Sequence, residues 1–224
     1  MNIYKYETHM HCSESSGCAH NTGAEMADYY KRLGYTGIIV TDHVFPNARF
    51  AESQASLDAF VDRISAGYRA CKARGDEIGL DVFPGWEYGA GHTHLLIYGL
   101  NHSWHRDNPE SMTWDAATYL DRVRADGAFI VHAHPFREGT EPVRLFPSRT
   151  DAVEVLNASH TEAPDRRAEA YAEMYGLAHS AGSDCHWVDA KRLCGVSSES
   201  RLASINDFIN SIKSGGGTIF DDKF

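Results

Sequence analysis

Histidine and carboxylate side chains gather in this sequence where short apolar runs end. The groups read Glu7-Thr-His9-Met-His11, Thr41-Asp42-His43, His92-Thr-His94, His132-Ala-His134-Pro135 and Ser183-Asp184-Cys-His186, with Glu87 closing Asp81-Val-Phe-Pro-Gly-Trp-Glu87. Successive side chains of a strand point to opposite faces, so an H-x-H pair aims both imidazoles the same way. Burying two imidazoles beside acidic residues is costly unless something ties them together, and a metal ion does so. One such pair is compatible with chance. Five at strand ends describe nitrogen and oxygen ligands converging on metal ions, which makes a hydrolytic metalloenzyme the leading reading. The set holds imidazole and carboxylate but no thiolate, which suits zinc, manganese or iron.

Such ligands need strands that end together. Strand-like segments are expected at Tyr4 to His11, Thr36 to Thr41, Asp81 to Glu87, His94 to Tyr98, Ala128 to His132, Ala152 to Leu156, His179 to Ser183 and Thr218 to Phe220. Helical patterns lie between them at Gly23 to Leu33, Ala55 to Arg74, Thr113 to Ala125, Pro164 to Ala178 and Ile205 to Lys213. Short apolar strands alternating with helices indicate a parallel sheet covered by helices. Ligands at the C-terminal ends of so many strands meet at one mouth only if the sheet closes. The expected fold is therefore an irregular α/β barrel, a single domain.

The order of the motifs resembles the PHP (polymerase and histidinol phosphatase) family. Its members open with H-x-H, continue with T-D-H and a Glu at a strand end, then carry a lone His before an apolar run, an H-P dipeptide and a late S-D-x-H. Here these are His9-Met-His11, Thr41-Asp42-His43, Gly85-Trp-Glu87, His94-Leu-Leu-Ile, His134-Pro135 and Ser183-Asp184-Cys-His186. The resemblance runs from His9 to the C-terminus and implies a distorted (β/α)7 TIM-like barrel with two or three divalent ions, Zn, Mn or Fe. It places His9, His11, Glu87 and Asp184 on a first ion, and Glu87, His94 and His134 on a second. His43 and His186 would hold a third together with a ligand from the loop after H-x-H. That loop is longer than usual here, Ser13 to His20, and His20 is its candidate ligand.

The resemblance implies a metal-dependent phosphoesterase acting through a metal-bridging hydroxide, Asp184 included in the catalytic set. A small phosphorylated substrate is expected: a phosphomonoester such as histidinol phosphate or a nucleotide, or a cyclic phosphodiester. Arg137, three residues after His134, is the candidate phosphate-binding cation. His160 is the candidate proton donor to the leaving group, or a substrate-binding histidine without proton transfer. Glu7, Asp42, His92 and His132 are expected to support the ligands by hydrogen bonds rather than coordinate. His102, His105 and His179 are expected to be ordinary hydrogen-bonded histidines.

Composition bounds the alternatives. A chain of 224 residues can bury a core without disulfides, and its five cysteines, odd in number and irregularly spaced, read as reduced thiols. The first residues lack the apolar core of a leader and no apolar run reaches the length of a membrane span, so a cytoplasmic protein is expected. A net charge of −10 opposes binding to duplex nucleic acid, which needs basic stripes. An amidohydrolase cleaving C–N bonds is the nearest competing enzyme, but the chain has no lysine between Lys72 and Lys191 to bridge two ions. A non-catalytic metal-binding regulatory module is the other competitor, and it would be expected to have lost ligands. The number of chains per assembly is not legible.

Overall fold

The computed structural model describes residues 2–47, 49, 52–139 and 142–224. Its strands are β1 (Tyr4–Met10), β2 (Gly37–Val40), β3 (His43–Val44), β4 (Asp81–Ala90), β5 (Thr93–Tyr98), β6 (Phe129–Ala133), β7 (Ala152–Asn157), β8 (Ala178–Gly182), β9 (Arg192–Ser198) and β10 (Thr218–Lys223). The helices are α1 (Gly23–Arg32), α2 (Gln54–Ile64), α3 (Ala66–Ile78), α4 (Trp104–Asp107), α5 (Ala116–Ala125), α6 (Glu162–Tyr175) and α7 (Ile205–Lys213). The sheet runs β10-β9-β1-β2-β4-β5-β6-β7-β8. It curls into a nearly closed, distorted TIM-like barrel with the helices outside.

Closure is local. Near the start of β1, Tyr4 to Tyr6 pair antiparallel with Val196 to Ser198 of β9. Toward the mouth, Cys185 reaches β1 instead: His11 N–H donates to the Cys185 carbonyl at 2.9 Å, and Cys185 N–H to the His9 carbonyl at 3.3 Å. Those two bonds form a single parallel bridge between Met10 and Cys185. Strand β9, absent from the expected elements, carries Gly195, where a Cβ would sit 2.2 Å from the Tyr6 carbonyl oxygen. The glycine that permits this approach also weakens the strand pattern.

The sheet is mixed, which corrects the expected all-parallel arrangement. β4 pairs antiparallel with β5, and β5 antiparallel with β6. The cause is the two-residue turn after Ala90, where Gly91 adopts φ 68°, too short for anything but a hairpin. The expected helix Ala55 to Arg74 is two helices broken at Ser65, whose Oγ donates to the Val61 carbonyl. The break brings Gly67 against the site, where a Cβ would meet Asp42 Oδ2 at 2.2 Å. α1 forms as expected, started by a capping box between Thr22 and Glu25 and burying Met26, Ala27, Tyr29 and Tyr30.

Aromatic packing fills the layer between α2, α4, α5 and the β4–β5–β6 sheet. His102 and His105 belong to it rather than to a polar surface loop. His105 is fully buried, its ring 5.1 Å from Trp86, 5.2 Å from Trp104 and 5.6 Å from Phe60. Burial takes His102 down to about 4 and His105 to about 3. Each is neutral in the fold but protonates in the unfolded chain below about pH 6.5, so the unfolded state binds more protons and stability falls as pH drops through that window. His105→Phe removes one such proton. The slope of unfolding free energy against pH between 6 and 4.5 should fall by about 1.4 kcal/mol per pH unit, read by denaturant titration. An unchanged slope would mean that His105 protonates in place.

Candidate metal centre

A backbone irregularity presents the first ligands. The register between β1 and β2 shifts between Glu7 and Met10, a β-bulge that changes the facing of the strand. Glu7 itself relieves the bulge, its Oε1 accepting the N–H groups of Thr8 at 2.9 Å and His9 at 3.0 Å. The same oxygen accepts Ser183 N–H at 2.9 Å, and Oε2 accepts Tyr30 O–H at 2.9 Å. Glu7 thus holds the backbones on both sides of the barrel seam and touches no candidate ligand's imidazole. Burial pushes its carboxyl up, although four hydrogen bonds oppose the shift.

Glu87 sits at the middle of the mouth. Its Oε1 lies 2.8 Å from His94 Nδ1, 3.2 Å from His134 Nε2 and 3.4 Å from His9 Nε2. Its Oε2 lies 2.6 Å from His43 Nδ1 and 3.7 Å from His11 Nε2. Asp184 Oδ1 faces His11 Nε2 at 3.1 Å and His9 Nε2 at 3.5 Å, and His186 Nδ1 at 3.6 Å. Burial alone would raise both carboxyls, but the surrounding imidazoles, His9 foremost, hold them well below the usual range. Burial pulls His9 down, yet Glu154, Asp184 and Glu87 together raise it well above an ordinary histidine. His11, closer to His43, is taken down to about 3 by burial.

Among the described residues four groups bring their donor atoms within 4.8 Å of one another: His9, His11 and Asp184; Glu87, His94 and His134; His11, His43 and His186; and His9, His134 and Glu154. The donor atoms fit cations. His9 Nε2, His43 Nδ1 and Glu87 Oε2 are buried without a hydrogen-bond partner, although His43 Nδ1 and Glu87 Oε2 are only 2.6 Å apart. Close approach without hydrogen-bond direction is expected of atoms arranged around a shared ion. The third group is completed by His11. His20 is exposed, its ring 6.1 Å from that of Trp187, and it joins none of the four groups.

Two candidate ligands sit on unusual backbone. His134 (φ 28°) and Asp184 (φ 51°) are the non-glycine residues with positive φ among the described residues. Such conformations cost roughly 1–3 kcal/mol each and persist where neighbours over-determine them. The His134 N–H donates to Glu154 Oε2 at 3.0 Å, and Pro135 follows it. Asp184 lies between Ser183, clamped by Glu7, and Cys185, bonded into β1.

Glu154 is the residue that the motif pattern misses. It lies on β7 beside a second register shift, buried, with Oε1 3.0 Å from His9 Nδ1 and Oε2 accepting from Asn157 Nδ2 at 2.8 Å. A carboxylate on Nδ1 fixes the tautomer that leaves Nε2 free as a ligand. The available signal was a lone acid inside the apolar run Ala152-Val-Glu-Val-Leu156. Asp42 also acts at one remove: its Oδ1 accepts from Cys12 N–H and from Ser16 Oγ, and Ser16 Oγ lies 3.5 Å from His11 Nδ1. Burial raises Asp42 to about 6. His132 is buried against Tyr171 with its Nδ1 unpartnered, and His92 is exposed at the β4–β5 turn, so neither hydrogen-bonds a ligand. His179 is exposed on β8.

His160 stands over this cluster, its ring 5.5 Å from that of His134. Burial and His134 draw it down to about 4, with the positive charge of Arg137 contributing. Arg137 is half-buried, and its N–H donates to the His134 carbonyl in the turn after β6.

No protein-family model matches the sequence, and no curated protein matches it. Solved structures do. A two-domain protein from Bacteroides vulgatus containing a predicted PHP-like metal-dependent phosphoesterase is similar with TM-score 0.73 and 16% identity, over 98% of this chain and 65% of that one. The lesion-specific endonuclease PfuEndoQ from Pyrococcus furiosus gives 0.63 and 14%, over 97% and 58%. A candidate metal-dependent phosphoesterase from Bifidobacterium adolescentis gives 0.57 and 14%, over 95% and 96%. The chain thus spans 65% of the two-domain protein and 58% of the endonuclease. At these identities the likeness establishes the fold, that of PHP-like proteins. The clustered His, Asp and Glu groups could hold metal ions. Among the described residues no helix is long and apolar enough to cross a membrane.

Glu154→Gln tests the proposed orienting role. The amide retains the shape but not the charge, and metal affinity measured by chelator competition should fall about 10–100-fold with the fold intact. Affinity equal to that of the parent protein would reduce Glu154 to packing.

Proposed function

We propose that this protein is a phosphoesterase acting on a small phosphorylated substrate with two or three divalent ions held at the barrel mouth. The observation that carries the reading is the single carboxylate of Glu87 facing His9, His11, His43, His94 and His134. Ligands so shared suit adjacent ions rather than one isolated structural ion. Three ligand sets are proposed: His9, His11, Glu87 and Asp184; Glu87, His94 and His134; and His43 and His186 with His11. His20 is the alternative third partner for the last, through movement of its loop. When bound, such ions supply Lewis-acid activation of water and neutralise charge on phosphoryl oxygens.

The chain's own groups divide the remaining work. Glu154 and Asp42 orient His9 and His11, the latter through Ser16. Arg137 binds the phosphate, its guanidinium matching two oxygens at once. His160, drawn down to about 4, is neutral at pH 7 and offers a hydrogen bond to the substrate rather than a proton to the leaving group. This favours the second of its two expected roles. The likeness to two phosphoesterase folds and to an endonuclease supports phosphate-ester chemistry, while a net charge of −10 favours a small substrate over long nucleic acid. We place the protein in the cytoplasm.

The decisive experiment loads the purified protein with Zn, Mn or Fe and screens phosphomonoesters, cyclic phosphodiesters and amides. Phosphate release that is abolished by chelation is expected. Amide cleavage alone would replace this reading by the amidohydrolase one, and ion binding without turnover would favour a regulatory module. Arg137→Ala should raise KM for phosphate esters at least tenfold while elemental analysis finds the same metal content. Unaltered KM would remove Arg137 from the phosphate site. His160→Ala should slow alkyl and p-nitrophenyl phosphates alike; selective loss with the alkyl ester would restore it as the acid.

A further inference from the structure

Two half-exposed aromatic rings flank the third ligand group. Phe45 and Trp187 are each 49% exposed. The Phe45 ring lies 5.0 Å from that of His43 and 6.2 Å from that of His94. The Trp187 ring lies 6.3 Å from that of His186. Between them, His11 stacks on both His43 and His186 at 4.3 Å. The His43 and His186 rings are themselves 6.0 Å apart, so the three imidazoles form a compact triangle, with Phe45 against its His43 corner and Trp187 against its His186 corner.

Both rings are positioned by their surroundings. Phe45 packs on the backbone of Gly89, where a Cβ would come within 2.4 Å of the ring. The Trp187 carbonyl accepts from Cys185 Sγ at 3.2 Å, and the next residue's N–H donates to Asn21 Oδ1 at 3.1 Å. Each ring also walls a cavity that contains a proposed ligand: Phe45 with His43 in one of about 520 Å³, Trp187 with Asp184 in one of about 370 Å³. Neither ring belongs to a core cluster. An isolated exposed ring is unremarkable on a protein surface; two fixed rings bordering a polar catalytic mouth offer flat apolar faces where substrate must enter.

We propose that Phe45 and Trp187 are stacking platforms that select phosphate esters carrying a planar aromatic group. The proposal rests on the phosphoesterase reading of the metal centre and names its substrate class. The planar group can be a heterocyclic base held at a distance from the phosphorus or an aryl group attached directly to the ester oxygen. Either stacks on an aromatic face regardless of its edge pattern, with about tenfold or more in affinity per stacked ring. His20, beside Trp187, lines the same rim.

The metal-loaded protein is tested with two substrate pairs, adenosine 5′-monophosphate against ribose 5-phosphate and phenyl phosphate against ethyl phosphate. Binding is read independently by fluorescence, because Trp86 and Trp104 are buried and Trp114 partly so, leaving Trp187 the accessible reporter. A ring-bearing ester should quench the emission and be preferred in kcat/KM over its ring-free partner by at least tenfold. Phe45→Leu and Trp187→Leu should shrink that preference at least fivefold, and Trp187→Phe, which keeps a face, should restore most of it. Loss confined to the adenosine pair identifies a base, and loss confined to the phenyl pair identifies an aryl ester. No preference for the ring-bearing ester in either pair, or leucine variants that leave the preference intact, would overturn the proposal. Ring-selective quenching by esters that are never hydrolysed would leave the platforms standing and sink the phosphoesterase reading instead.

Discussion

One carboxylate organises the mouth of this barrel. Glu87 lies on β4 with imidazoles from β1, from the residue that follows it, from β3, from β5 and from the turn after β6 directed at its two oxygens. A buried anion in that position would be expensive alone, and so would a nest of buried imidazoles. Their mutual attraction holds Glu87 and Asp184 well below the usual carboxylate range and His9 well above that of an ordinary histidine. Metal uptake should accordingly release protons.

The backbone departs from regularity wherever it serves this arrangement. The β1 bulge at Glu7, the register shift beside Glu154 in β7 and the positive φ values of His134 and Asp184 all lie within one layer of the barrel. Each would be a local defect by the rules that govern strands and loops. Three of the four are held by a buried carboxylate: Glu7 accepts the amides freed by the first bulge and that of Ser183 beside Asp184, and Glu154 accepts that of His134. The acids that support the ligands are thus also what make the strained backbone tolerable.

Strand-end histidines were legible because coordination chemistry restricts residue type and spacing together. The barrel was legible through the alternation of apolar runs and amphipathic helices. Direction within the sheet was not, because the apolar pattern of His94-Leu-Leu-Ile-Tyr98 is the same for a parallel and an antiparallel strand; only the glycine turn before it carries the difference. Glu154 escaped because a supporting carboxylate has no partner at fixed sequence spacing: it meets His9 across 145 positions. His20 stood out through proximity in sequence, whereas His11, already counted for the first ion, is the imidazole that packs against both His43 and His186. His105 looked like part of a polar loop because its neighbours Asn101, Ser103 and Arg106 are polar, while the aromatic rings that enclose it come from distant segments.

The seam where the barrel closes has a mechanical consequence. Between the mouth ends of β1 and β8 the backbone is joined by the Met10–Cys185 bridge, yet His9 and His11 stand on one side of that joint and Asp184 and His186 on the other. His11 and Asp184 are 173 residues apart in the chain, so whatever joins them closes nearly the entire polypeptide into a loop. A cation bound there would be a reversible cross-link between the two ends of the fold, stabilising the folded chain by the free energy of its binding. The chain has no disulfide, and its free cysteines Cys12 and Cys185 border this joint. A bound ion would be the staple of a barrel that has no disulfide.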